Sequence, residues 1–137
     1  MNLIVLKNQI LKIAALISCM AIMVSCSKSK DNGPQSPDSS YPKEVTIEYK
    51  ITSPDLTKAN VIYSNETGGN SNVSDAVLPF TKTFKRTVKY AEAASIGITS
   101  YNGGNIKAEI FVDGKSVKTE SYSGNQVVTG SLVYPFM

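Results

Sequence analysis

From Glu44 to the C-terminus the sequence keeps a period of two. "EVTIEYKI" places Val45, Ile47, Tyr49 and Ile51 on one side and Glu44, Thr46, Glu48 and Lys50 on the other. That is the pattern of a strand with one face in a core and one in water. The pattern returns in "NVIYSN", "VSDAVLPF", "TKTFKRTVKY", "ASIGITSY", "NIKAEIFV", "KSVKTESY" and "NQVVTGSLVY", broken by "SPD", "NETGG", "NGG", "DG" and "SG". Such breaks are turn chemistry, because glycine reaches positive φ freely and asparagine and aspartate tolerate it. The reading is all-β: a single antiparallel β-sandwich of about seven strands over residues 43–137. The roughly 90 residues from Glu44 to Val133 suffice for one core and are too few for two domains.

One segment competes for a helix. Phe80, Phe84 and Val88 recur every four residues, with Lys82, Lys85, Arg86 and Lys89 between them. Three threonines and a valine, all β-branched, oppose a helix of only about ten residues. As a strand, the segment spreads its basic residues over both faces, which reads as a solvated rim. Pro79 before it marks a bend or a sheet edge.

The clearest hairpin is "EIFVDGKSVKTES". A two-residue type I′ turn at Asp113-Gly114 sets Ile110 opposite Val117 on the core side. On the other side it sets Glu109 opposite Lys118 and Lys107 opposite Glu120, opposite charges that would hold the register.

The N-terminus addresses the chain. Lys7 and Lys12 are followed by the uncharged run "IAALISCMAIMVS", which stops at Cys26 before the polar "SKSKDNGPQSPDSS". The run is short for a membrane span and suits the apolar part of a secretory signal. A small residue before cysteine at its end resembles a bacterial lipobox, so residues 1–25 read as a lipoprotein signal peptide and Cys26 as the lipidated residue. "LISC" fits the lipobox pattern more closely at Cys19, but cutting there leaves a very short apolar core. Ser27 is not the aspartate that retains lipoproteins in the inner membrane, so the outer membrane is expected, with its periplasmic face and the cell surface both open. Residues 26–42 are then the lipid anchor and a flexible linker. Three prolines and five serines between Ser27 and Pro42 cannot offset the entropy of ordering.

Removal of the signal changes the charge argument. Of the 14 Lys+Arg, Lys7 and Lys12 precede Cys26, so 12 remain against 11 Asp+Glu. That balance offers nothing to nucleic acid. The chain has no histidine, and Cys19 and Cys26 are its 2 cysteines, so a Ser/His or Cys/His nucleophile pair and a His- or Cys-based metal site have no residues to use. Asp55, Glu66 and Asp75 lie in or near turns and read as solvated turn residues. No catalytic residue, metal or other cofactor is expected. The candidate ligand-binding residues are Tyr63, Tyr101 and Tyr122, tyrosines near strand ends that could stack on sugar rings or on a protein.

Several segments in order, "VTIEYKIT", "ANVIYSNETGG", "LPFTKTF" and "IKAEIFVDGKSVKTES", resemble the extracytoplasmic domain of the MmpS family of mycobacterial small membrane proteins. The resemblance implies an immunoglobulin-like sandwich on a membrane anchor, working beside an MmpL-type transporter of the RND class. Two departures stand out: a lipobox replaces the family's transmembrane helix, and a cysteine pair of the family is missing. The resemblance puts Ala108 and Gly130 at those two positions, facing each other on neighbouring strands. The expected function is a non-enzymatic, lipid-anchored envelope protein that binds another envelope component, such as an RND export system. The alternative is a surface lipoprotein that binds a glycan or a host ligand.

Overall fold

A computed structural model describes residues 40–137. The expected signal peptide, the expected lipidation site Cys26 and most of the expected linker lie outside the described residues. Within them the chain forms eight strands: β1 (Lys43–Thr52), β2 (Lys58–Ser64), β3 (Asn70–Val77), β4 (Phe80–Val88), β5 (Ala93–Ser100), β6 (Gly104–Val112), β7 (Lys115–Gly124) and β8 (Val128–Pro135). They pair antiparallel in two four-stranded sheets, ordered β4-β1-β6-β7 and β3-β2-β5-β8. Only β2–β3 and β6–β7 are hairpins within a sheet; every other connection crosses to the opposite sheet. The result is a sandwich-like all-β domain, with one strand more than the sequence count of about seven. No helix occurs among the described residues.

The alternation seen in the sequence becomes the core. Val45, Ile47, Tyr49 and Ile51 from β1 are buried, as are Ile106, Ala108 and Ile110 from β6. The second sheet answers with Val61, Tyr63, Ile96, Ile98 and Leu132. The Tyr49 hydroxyl crosses the interior to Ser64 of β2, 2.7 Å from its Oγ and 3.1 Å from its carbonyl oxygen. Its ring lies 5.6 Å from Tyr63 and 5.9 Å from Phe84. Burial pushes the Tyr49 pKa up, and the bond with Ser64 opposes that push only in part. The phenol is therefore kept neutral, which suits a buried group.

The segment from Phe80 to Val88 is strand, as β-branching requires, but Arg86 does not join a rim. It faces inward from β4 and is 7% exposed. Its Nη2 lies 2.7 Å from Glu92 Oε2 and its Nη1 donates to the Ala93 carbonyl at 3.2 Å. The guanidinium thus ties the edge of the first sheet to the start of β5 in the second. Arg86→Met should lower unfolding free energy by about 1–2 kcal/mol, since Glu92 is half-open to water and can be rehydrated once its partner is gone. A denaturant melt checks this; an unchanged midpoint would mean that the clamp carries no stability.

The β6–β7 hairpin keeps its turn but not its full register. Asp113 and Gly114 have φ of 51° and 76°, the two positive values of a type I′ turn. The pairs Val112/Lys115 and Phe111/Ser116 follow as expected. The register then shifts, so that Ile110 faces Lys118, Glu109 faces Thr119 and Lys107 faces Ser121. Val117 is the extra residue of a bulge and packs part-buried against the core. The expected cross-strand pairs are replaced by pairs along each strand, Lys107–Glu109 at 2.9 Å and Lys118–Glu120 at 3.2 Å. Asp113 also does more than turn the chain. Its Oδ1 accepts the Thr46 N–H and its own N–H donates to the Thr46 carbonyl, both at 2.8 Å, clamping the hairpin tip to β1.

Ala108 and Gly130 do not face each other on neighbouring strands. Ala108 is paired with Ile51 and Glu120 in the first sheet, Gly130 with Ile98 in the second. The space over Gly130 is filled by the ring of Tyr122, with which any side-chain carbon at position 130 would overlap.

Candidate functional site

The three tyrosines singled out in the sequence are not gathered into one site. Tyr63 is a core residue, 7% exposed, with its ring 5.6 Å from Tyr49 and 6.3 Å from Phe80. No ligand reaches it without opening the sandwich. Tyr122 spans the corner between the sheets, its hydroxyl within reach of Glu120 Oε2 at 2.9 Å and the Ser131 carbonyl at 2.8 Å. Tyr101 alone stands in water, 75% exposed, in the loop that joins β5 to β6.

Burial and the Glu120 carboxylate beside it push the Tyr122 pKa up to about 12. The bond from Tyr122, with help from Lys118, in turn holds the Glu120 carboxyl below its usual range. An unfolded tyrosine loses its proton near 10.0, whereas folded Tyr122 keeps it until about 12. Over that window the unfolded chain carries fewer protons, so stability falls as pH rises; below the window the contribution is complete. Tyr122→Phe should make this alkaline fall shallower and remove one late transition from the tyrosinate absorbance titration. A titration curve unchanged by the substitution would place the raised group elsewhere.

The two poles of the domain differ. At one, the chain enters at β1, and Tyr41 donates to the Met137 carbonyl at 3.3 Å with its ring 6.1 Å from Tyr90. At the other, the loops after β1, β5 and β7 meet, and a cleft of about 440 Å³ opens. Leu56 and Ala59 form part of its floor, with Asp55, Lys58, Asn60, Asp75, Tyr101 and Asn102 among its walls.

The walls are built, not loose. Ser53 Oγ donates to the Asn105 carbonyl at 2.6 Å and accepts the Leu56 N–H at 2.8 Å. Asp55 Oδ2 receives both the backbone N–H and the side-chain amide of Asn105, at 2.9 and 2.8 Å. The Asn102 N–H reaches Ser100 Oγ at 3.2 Å. On the far wall β3 carries one residue more than β2 between the pairs Ala59/Ala76 and Val61/Val73. The bulge puts Asp75 at φ 51°, and Asn60 Oδ1 accepts its N–H at 3.0 Å. Bulges re-aim side chains, and this one turns Asp75 to the cleft. In the sequence Asp75 reads as a turn residue; no local signal shows that Asn60 would cap a bulge there. Among the described residues no group of three or more His, Cys, Asp or Glu side chains could hold a metal ion.

Taken together, the described residues form an all-β, sandwich-like domain with crossing connections, which follows an apolar N-terminal run in the sequence. The sequence model of the family described as Mycobacterium membrane protein matches residues 2–134, and the chain belongs to that family. The matched span takes in both the N-terminal apolar run and the sandwich, which agrees with a membrane-associated protein. No curated protein matches the chain.

Proposed function

We propose that the protein is a non-enzymatic, lipid-anchored component of the outer membrane whose sandwich binds another envelope component, an export system of the RND (MmpL-like) type. The observation that carries this reading is the extent of the family match, from residue 2 to residue 134. It joins one membrane-directed N-terminus to one sandwich, as an accessory subunit with a single anchor would require. The absence of histidine from the chain supports a binding role over acid–base or nucleophilic catalysis. Photo-cross-linking on intact cells tests the partner: recovery of an RND-type transporter polypeptide is expected, and its consistent absence would end the export reading.

The anchor is tested separately. Cys26→Ser should abolish incorporation of a clickable fatty acid, while Cys19→Ser should leave the label in place. Loss of the label with Cys19→Ser alone would move the mature N-terminus to that residue.

A second reading, a surface-exposed lipoprotein that binds a glycan or host ligand, is favoured by one feature, the open polar cleft with Tyr101 at its edge.

A further inference from the structure

The cleft lies at the pole opposite the one where the chain enters β1. Its volume, about 440 Å³, falls in the range of small-molecule sites and suits one or two sugar rings. The lining has the three elements that carbohydrate recognition uses. Tyr101 offers an exposed ring that takes part in no ring contact among the described residues. Such a ring can cover the C–H face of a pyranose. Asn60 and Asn102 offer amides, which can both give and accept hydrogen bonds from vicinal hydroxyls. Asp75, aimed by the bulge, offers a carboxylate that no side chain or backbone group of the described residues engages, and so two acceptor oxygens for hydroxyl donors.

Charge narrows the ligand. Asp55 and Asp75 line the cleft together with a single cation, Lys58, so its formal balance is negative and an anionic sugar would be repelled. Beyond Lys58 at the cleft itself, the adjoining outer face of the second sheet offers the uncharged Asn60, Ile62, Thr99 and Thr129. The outer face of the first sheet instead carries Glu44, Glu48, Lys50 and Lys85. A neutral chain longer than the cleft could continue over the uncharged face without burying a charge.

We propose that this cleft is a binding site for a neutral oligosaccharide, with Tyr101 as the stacking platform and Asp75 as the principal hydroxyl acceptor. The site rests on the second reading above and gives it a location and a ligand class. It is tested with the full chain, purified in detergent, on immobilised neutral oligomers of glucose, mannose, galactose and N-acetylglucosamine, with uronic-acid oligomers as the anionic set. Retention of at least one neutral oligomer is expected. Tyr101→Ala and Asp75→Ala should each weaken it by about tenfold or more, the loss of one stacking or charge-assisted contact. Tyr101→Phe should hold on to most of the affinity, and Lys85→Ala, on the other sheet, should leave it unchanged. Unaltered denaturant melts of the two cleft variants would show that folding is not the cause. Binding that survives both alanine substitutions would overturn the site and leave a glycan-binding surface elsewhere. Retention of no neutral oligomer, or preference for the uronic-acid set, would overturn the site, and retention of neither set would remove the glycan form of the second reading as well.

Discussion

Gly130→Val should cost the domain about 3 kcal/mol, a large share of the 5–15 kcal/mol that holds a typical domain together. The position has no special backbone angle, since its φ is not positive. The constraint is the Tyr122 ring, which lies so close that a side-chain carbon at 130 would overlap three of its carbons. To make room the ring must swing out, giving up its packing and the hydrogen bonds to Glu120 and Ser131. A double-mutant cycle checks the mechanism: with Tyr122→Ala already in place, Gly130→Val should cost much less, so the two effects should be strongly non-additive. Simple additivity of the denaturation midpoints would show that the ring is not what excludes the side chain.

Gly103→Ala should be destabilising by about 2–3 kcal/mol. Here the obstacle is backbone, because a Cβ at position 103 would overlap the carbonyl group of Asn125 in the loop between β7 and β8. A side chain could rotate away, whereas a carbonyl can move only with its loop. The substitution should also disturb the cleft, since Tyr101 and Asn102 share the β5–β6 loop with Gly103. Thermal melting and hydrogen exchange of the loop amides would register both effects. A melt within about 0.5 kcal/mol of the parent would mean that the two loops separate without cost.

Local properties were legible in the chain before folding was considered. The inward rows Val45–Ile47–Tyr49–Ile51 and Ile106–Ala108–Ile110 are buried as their alternation requires, because the side-chain period of a strand is a matter of the backbone alone. The turn at Asp113-Gly114 was equally plain, since two successive positive φ angles admit few residue pairs. The strand identity of residues 80–88 followed from β-branching against a helix too short to hold itself.

The rest depended on which strands became neighbours. One extra residue at Val117 shifted every later pair in its hairpin, so Glu109 and Lys107, four and six residues before the turn, met threonine and serine instead of opposite charges. Arg86 looked like one of several surface cations until β4 became a sheet edge beside the start of β5, where Glu92 and Ala93 could receive it. Tyr63 and Tyr101 are both tyrosines near strand ends, yet one is sealed in the core and the other stands in water. The difference lies in the position of the opposite sheet, which no short window of sequence encodes. The cleft is of the same kind: Asp55, Asn60, Asp75 and Tyr101 come from four separate segments, and only the packing of two sheets and their loops brings them to one pole.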